Sequence, residues 1–143
     1  MYTPHIVTIF NIGAENPETF TQPISATVLS GVLLDASKAV NVQRSGLESA
    51  DSVNLYIPLS VSATDAITGE AKHYADPKQY VLLDFHTHWT LSTTDCFFVK
   101  GIVTEIADFQ TINKKYDDVY KVTKVDKKDF GTPDMQHWEV GGA

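Results

Sequence analysis

The chain has 143 residues, of which 43% are hydrophobic and 20% are charged, and its formal net charge is −7. This length and composition predict one domain over residues 1–143 and exclude a largely disordered chain. An acidic chain whose single arginine is Arg44 is poorly suited to sequence-specific nucleic-acid binding, although it could surround DNA without gripping it. No apolar run approaches the roughly 20 residues that cross a bilayer, so we expect no membrane association.

The first part of the chain predicts strands. β-Branched and aromatic residues predict a strand over residues 5–10 and a longer one over residues 24–34. Gly31, in the middle of the second run, indicates a bulge or a bend. A weaker alternation predicts a short third strand over residues 40–44.

Residues 53–61 carry the clearest local pattern, because every odd position is apolar. Successive side chains of a strand point to opposite faces, so this run predicts an antiparallel strand with one buried face. Pro58 has no N–H to donate. We therefore expect this strand to lie at an edge of its sheet, or the nitrogen of Pro58 to face outward.

The next segment predicts a loop and then a helix. Polar residues 63–73 predict a protruding hairpin or loop that extends to about residue 75. Asp76 and Pro77 predict the start of a short helix, with Asp76 as the N-cap and Pro77 at the first helical position. This helix is predicted to run to about Leu83.

The last part of the chain predicts more strands and a second helix. Alternation over residues 85–91 predicts a strand, and residues 96–103 predict its hairpin partner. Apolar side chains at helical spacing over residues 106–112 predict a short helix. Final strands are predicted over residues 119–125 and 136–140. Together these elements predict a mainly β fold, an antiparallel barrel or sandwich with one or two short helices.

His86 and His88 are the candidate metal ligands. On a strand, residues two apart share a face, and paired imidazoles near a carboxylate such as Asp84 are typical of zinc or another divalent metal. A catalytic site needs a third ligand, and the sequence supplies no second histidine cluster. The favoured interpretation is therefore that both histidines lie on the wetter face of a strand, and we expect no metal.

The sequence contains no local motif typical of nucleotide binding or of a serine nucleophile. Neither a glycine-rich nucleotide loop nor a GxSxG elbow occurs, so we expect no cofactor and no enzymatic activity. Cys96, between acidic and aromatic neighbours, is predicted to be a small buried hydrophobe. Alternating charges over residues 114–129 favour a solvated face over a phosphate-binding patch.

The segment over residues 130–143 is predicted to be a C-terminal tail that concentrates aromatic and methionine side chains. Two interpretations stay open. Phe130, Met135 and Trp138 either close the core of the domain or contact a neighbouring subunit, since tryptophan and methionine are enriched in interfaces.

Several segments resemble small structural proteins encoded in phage and prophage morphogenesis clusters. These segments are residues 5–11, 26–34, 89–91, 98–103 and 120–126. In particular, the chain is similar to minor capsid or head–tail connector proteins from prophages of Gram-positive bacteria.

This resemblance implies a non-enzymatic subunit of a ring at the head–tail interface of the virion, synthesised in the bacterial cytoplasm. Its implied partners are copies of itself and other phage structural proteins, such as the portal, an adaptor or a tail ring. Ring assembly by head-to-tail contacts requires two different surfaces on each subunit. The alternatives are a tail terminator or tail-completion protein, a small-ligand or metal-binding β-barrel that uses His86 and His88, and, more remotely, a hydrolase.

Overall fold

The computed structural model describes residues 3–13, 17–19, 22–36, 53–84 and 86–143. The predicted strand over residues 40–44 lies outside this part of the chain. The strands are β1 (His5–Ile12), β2 (Ile24–Ala36), β3 (Val53–Pro58), β4 (Ser62–Asp65), β5 (His73–Tyr74), β6 (His88–Trp89), β7 (Cys96–Lys100), β8 (Val119–Lys128) and β9 (His137–Gly142). The α-helices are α1 (Pro77–Tyr80) and α2 (Phe109–Lys115). Within the described ranges, no helix is long and apolar enough to cross a membrane.

Six strands form a closed antiparallel barrel in the order β1-β7-β8-β9-β3-β2, and pairing between β1 and β2 completes the ring. β4 is a seventh strand, which pairs with residues 27–30 in the first half of β2. The prediction of a mainly β fold with short helices is confirmed, and the barrel rather than the sandwich is the form it takes. Closure removes the open strand edges that would otherwise invite association.

The interior of the barrel is filled by alternate side chains of its strands. In β3, Val53, Leu55 and Ile57 are buried while the residues between them are exposed or half-buried, as the alternation predicts. The same period places Trp138 and Val140 of β9 in the interior. At Gly142 the strands approach closely, because a Cβ there would lie 2.8 Å from the ring of Phe98.

A second core lies on the outer face of the barrel. Phe10 and Phe97 stack with ring centroids 4.6 Å apart, and Phe109 at the start of α2 meets Phe97 edge-on. Asp108 begins α2 by accepting a hydrogen bond from the backbone N–H of Thr111 at 2.9 Å. The predicted second helix is thus confirmed, although it spans Phe109–Lys115 rather than residues 106–112. Its position explains why β1 and β7 are apolar on both faces.

Residues 73–91 form an insertion that covers one end of the barrel. β5 and β6 pair in parallel, outside the barrel. Trp89 of β6 and Tyr74 of β5 pack against Trp138 at the beginning of β9, with ring centroids 5.7 and 4.5 Å from it. Asn11 fastens the insertion to β1, because its side chain donates to the carbonyl of Thr90 and accepts from the backbone N–H of the same residue.

Three predictions are corrected by this insertion. Of the strand predicted over residues 85–91, the structure forms only His88 and Trp89 as a strand, and residues 86–87 form a turn instead. β7 is not its hairpin partner, since β7 lies between β1 and β8 and is buried on both faces. The helix predicted to end near Leu83 begins at Pro77 as expected but ends at Tyr80.

The remaining predicted segments lie within the barrel or at its edge. Gly31 has a positive φ of 87° at a register shift in the β1–β2 ladder, which is the predicted bulge. β3 lies between β2 and β9 rather than at an edge, and Pro58 is its last residue. The segment predicted as a loop over residues 63–73 begins in β4, where Ala63 is buried, and forms a tight turn before residue 71 pairs back to Thr64. β9 is an integral barrel strand, so only residues 129–136 form a surface turn.

Candidate functional site

The large apolar side chains that are most exposed in the described residues fall into three groups on the surface. Isolated exposed apolar residues are ordinary, but grouped ones mark interaction sites on a soluble protein. Two of the groups lie near the barrel end that the insertion covers, and the third lies on the outer second core. The first two groups are positioned by short helical elements, α1 and the 3-10 segment at Pro133–Met135.

The first group, here called the α1 surface, consists of Val81, Leu82 and Leu83. Their exposures are 72, 82 and 41%. Pro77 occupies the first turn of α1, and Tyr80 at the end of α1 is buried. Because the buried ring of Tyr80 fixes the helix to the barrel, the three residues after it remain at the surface.

A cleft of about 410 Å³ lies beside the α1 surface. Val81 and Leu83 form one wall, and the opposite wall comes from the end of β1, the segment before β2 and Asp95. Concave, mostly apolar sites of this size are typical of ligand or side-chain binding. Asp95 contributes an exposed carboxylate to the lining of this cleft.

A smaller cleft of about 160 Å³ adjoins the first and is lined in part by Thr90 and Asn11. Thr90 is 5% exposed, and its hydroxyl makes no hydrogen bond within the described residues, since the nearby Tyr74 hydroxyl does not meet hydrogen-bond geometry. A buried hydroxyl without a partner is costly. Burial raises the pKa of Tyr74 to about 12, with the Asp76 carboxylate adding to the rise.

The second group is the β8–β9 turn, residues 129–136, which presents Phe130 and Met135. These side chains are 70 and 56% exposed. The turn is held by a short 3-10 segment at Pro133–Met135 and by a hydrogen bond from the Gln136 side chain to the carbonyl of Gly131. Phe130 and Met135 are therefore accessible, as a partner contact would require.

Trp138, the third side chain predicted for this contact, is 4% exposed and lies in the barrel interior. It contacts Tyr74 and Trp89 of the same chain. Of the two interpretations that the sequence left open, the one that places the side chain in the core is correct for Trp138. Strand period decides this, because Trp138 shares its face with the buried Val140.

The third group, here called the isoleucine surface, consists of two pairs, Ile6 with Ile102 and Ile67 with Ile106. Ile6 and Ile102 are close because the N–H of Gly101 donates to the carbonyl of Ile6 at 2.7 Å. Ile67 and Ile106 line one shallow cleft of about 180 Å³, together with residues at the start of β2. These positions come from three separate segments, since Ile102 and Ile106 share the loop between β7 and α2, so no run of sequence indicates the group.

The predicted histidine pair is not brought together on one strand face. His86 lies in an exposed turn, where its backbone N–H donates to the Asp84 carboxylate at 2.8 Å. His88 lies in β6 beside His73, with ring centroids 6.2 Å apart, and its Nδ1 lies 2.8 Å from the Thr87 hydroxyl. Within the described ranges, no three histidine, cysteine or acidic side chains form a group that could hold a metal ion.

Sequence analysis did not anticipate a buried lysine on the face of β2 that points into the barrel, where Thr27 pairs with Ile9 and Asp65. The side chain of Lys72 is fully buried, and its Nζ lies 3.1 Å from Asp65 Oδ1 and 2.6 and 3.0 Å from the hydroxyls of Ser25 and Thr27. Burial lowers the pKa of Lys72, and the hydrogen bond with Asp65 only partly opposes this. The amine is held by a carboxylate, so it serves as a structural cation rather than a base for Ser25.

The cysteine and the charged run behave as predicted. Cys96 is buried, and burial raises the pKa of its thiol from 9.0 to about 12. Lys115 pairs with Glu105 at 2.7 Å and Lys124 pairs with Asp126 at 2.9 Å, both at the surface. These pairs balance the charges of a solvated face.

Comparison with known proteins places the chain in a family but assigns it no activity. No curated protein and no solved structure matches the chain. A family model matches residues 2–143, almost the whole sequence. The chain therefore belongs to DUF6751, a family of unknown function.

Proposed function

We propose that the chain is a non-enzymatic assembly subunit of a phage or prophage particle, acting at the head–tail interface as a connector or minor capsid protein. The observation that carries this proposal is the presence of separate groups of exposed apolar side chains on a closed barrel. A subunit that joins a ring by head-to-tail contacts needs two different surfaces, and one patch would suffice only for a symmetric dimer.

The barrel supports this role because its rigidity does not depend on its neighbours. All six barrel strands are paired on both sides, and the interior is filled by aromatic and branched side chains. Exposed apolar groups are therefore not needed to complete the core of the chain. On a barrel whose core is already closed, such groups are most simply used to bind other proteins.

The resemblance of several strands to phage morphogenesis proteins supports the choice of particle. The acidic balance of the chain suits a ring through which DNA passes, because phosphates and carboxylates repel each other. The surface pairs of Lys115 and Lys124 with carboxylates reduce the positive charge available to phosphates.

The test is to inactivate the gene in the phage or prophage that carries it and to examine the induced particles by electron microscopy. A connector subunit predicts DNA-filled heads and separate tails that do not join, with joining restored by the wild-type chain. Mass spectrometry of purified wild-type particles should detect the chain.

Two outcomes discriminate among the readings. Tails of abnormal length attached to normal heads would favour the tail-terminator alternative. Infectious particles of normal yield and structure from the inactivated gene, together with no chain in purified wild-type particles, would contradict a structural role.

A further inference from the structure

We propose that His73 and His88 together bind one divalent transition-metal ion such as Zn²⁺, through Nε2 of His88 and a ring nitrogen of His73. The inference goes beyond the proposed function and does not depend on it. The pair differs from the one that the sequence pointed to, because His86 lies in the turn before β6 and the partner of His88 comes from β5.

The fold fixes the two histidines side by side. His73 and His88 are register partners in the parallel pair of β5 and β6. Two hydrogen bonds of 2.9 Å hold this register, from the N–H of His73 to the carbonyl of Thr87 and from the N–H of Ala75 to that of Trp89. Paired residues of adjacent strands point to the same face, so both imidazoles leave the two strands on one side.

The histidine face of the β5–β6 pair is the outward one. Tyr74 and Trp89, the next residues along each strand, pack against Trp138 on the opposite face. The alternation of side chains along a strand therefore directs His73 and His88 away from the barrel. His73 is exposed and His88 is half-buried, so an ion from solvent can reach both rings.

Hydrogen bonds prepare His88 as a metal ligand. The hydroxyl of Thr87 donates to the carbonyl of Asp84 at 3.2 Å, so it acts as an acceptor toward Nδ1 of His88, 2.8 Å away. The same carbonyl, which can only accept, lies 3.3 Å from this Nδ1. Nδ1 therefore carries the hydrogen and Nε2 keeps its lone pair, the arrangement in which protein histidines usually bind metals.

The two rings are almost close enough to share an ion. Their centroids lie 6.2 Å apart and their planes are inclined by 54°. Two imidazole nitrogens at the usual bond length from a tetrahedral zinc ion would place the centroids about 5 Å apart. A rotation of the exposed His73 side chain can supply the difference of about 1 Å, while its Nδ1 bonds hold the ring of His88.

The number and type of ligands define which ion binds and how strongly. Imidazole suits Zn²⁺, Cu²⁺ and Ni²⁺, whereas Mg²⁺ and Ca²⁺ prefer oxygen ligands. In the part of the chain that the structure describes, no third histidine, cysteine or acidic side chain completes a metal-binding group. Water molecules would fill the remaining positions, so binding is weaker than at a structural zinc site with four protein ligands.

A bound ion would stabilise the insertion at the end of the barrel. His73 belongs to β5 and His88 to β6, and α1 lies between them in the chain. An ion held by both residues closes the loop that contains α1 and thereby restricts the unfolded chain. Because the histidine pair is formed only in the folded chain, the ion binds that state preferentially and raises the melting temperature.

The test titrates Zn²⁺ alone into the full chain and follows the histidine ring nitrogens by NMR. We expect the Nε2 signal of His88 to shift while its Nδ1 stays protonated, and one ring nitrogen of His73 to shift over the same range of ion concentration. Calorimetry should give one ion per chain. The melting temperature should rise with Zn²⁺ and return to its starting value when EDTA is added.

Variants locate the site. His73→Ala and His88→Ala should each weaken Zn²⁺ binding by about tenfold or more and remove the rise in melting temperature. His86→Ala is the matched control, because it removes a neighbouring imidazole in the exposed turn and should leave both measurements unchanged. His73→Gln keeps a polar side chain at an exposed position and should bind as poorly as His73→Ala, and its circular dichroism distinguishes a lost ligand from a lost fold.

Two results would overturn the inference. The first is a wild-type chain whose His73 and His88 nitrogens do not shift and that gives no binding heat up to about 1 mM Zn²⁺. The second is binding that survives in His73→Ala but is lost in His86→Ala, which would instead favour the pair in the sequence. Zn²⁺ binding requires no particle, so these results are independent of the gene-inactivation experiment.

Discussion

The buried pair of Lys72 and Asp65 predicts that Asp65→Asn strongly destabilises the barrel. Lys72 is fully buried and Asp65 is 12% exposed at the side chain, so the pair is poorly screened by water. The substitution removes the negative charge and leaves the ammonium buried, which costs about 3–5 kcal/mol in the free energy of unfolding. For a chain of this size that loss lowers the melting temperature by roughly 10–15 °C.

The asparagine side chain is suited to this test because it preserves the neighbouring turn. Asp65 Oδ2 accepts hydrogen bonds from the backbone N–H groups of Ile67 and Thr68, both at 2.9 Å. A carboxamide oxygen can accept the same two bonds. Burial acts to raise the pKa of Asp65, but these N–H groups and Lys72 together lower it. The substitution therefore removes the charge that Lys72 requires while retaining the local geometry.

Two variants serve as controls, and chemical denaturation monitored by tryptophan fluorescence measures all of them. Glu105→Gln removes a carboxylate from the exposed pair with Lys115, so it should lower the free energy of unfolding far less than Asp65→Asn does. The double variant Asp65→Asn/Lys72→Met should be more stable than Asp65→Asn alone, because it removes the unpaired charge.

The pH dependence of the free energy of unfolding provides a second test of the Lys72–Asp65 pair. Burial places the pKa of Lys72 in the folded chain below its ordinary value of 10.5. At pH values between the folded-state pKa and the unfolded-state pKa, the unfolded chain binds more protons at Lys72 than the folded chain does. The contribution of Lys72 to the free energy of unfolding therefore rises with pH. The deficit of Asp65→Asn relative to the wild type should therefore shrink at alkaline pH. A cost below about 1 kcal/mol at pH 7 would refute the assignment of a buried, charged pair.

Three further predictions concern the core and the barrel end. Burial raises the pKa of the Cys96 thiol from 9.0 to about 12, so the unfolded chain loses this proton at a lower pH than the folded chain does. The free energy of unfolding of the wild type should therefore fall by up to about 4 kcal/mol relative to Cys96→Ala between pH 9 and pH 12, measured by urea denaturation. Thr90→Val should leave stability unchanged or raise it by about 1 kcal/mol, because it removes a buried hydroxyl without a partner, and a loss above 1 kcal/mol would reveal a bond that Thr90 makes. Deletion of residues 130–143 should unfold the chain, since it removes β9 from between β3 and β8, and native-like circular dichroism of the truncated chain would contradict this.

Local periodicity predicted the strands well because their burial follows the side-chain period of two. The run that begins at Val53 alternates in the structure as it does in the sequence. Proline and aspartate likewise marked the start of α1, and the glycine at position 31 marked the bulge. These signals are encoded within a few residues of the feature that they describe.

The insertion could not be predicted in the same way because its geometry depends on distant partners. Residues 86–87 turn because the Asp84 carboxylate and carbonyl accept hydrogen bonds from their neighbours, which interrupts an alternation that otherwise resembles a strand. Lys72 is buried because β2 supplies hydroxyls from Ser25 and Thr27, more than forty positions earlier in the chain. Neither contact has a local sequence signature.

The candidate surfaces were predicted only where one segment carries them. Phe130 and Met135 are five positions apart in one turn, and the sequence singled them out. The α1 surface escaped notice because its apolar residues were assigned to a longer helix, whose inward face would have buried some of them. The isoleucine surface is assembled from three segments and emerges only when the barrel closes.

The place of β9 in the barrel has a consequence for biosynthesis. β3 and β8 each obtain their second neighbour from residues 137–142, the last of the barrel strands to be synthesised. Until that moment β3 is paired only with β2 and β8 only with β7, so each has one open edge that is a template for pairing with another polypeptide. We therefore expect the barrel to close after translation of its final strand, and ribosomes stalled before residue 137 to display an aggregation-prone chain.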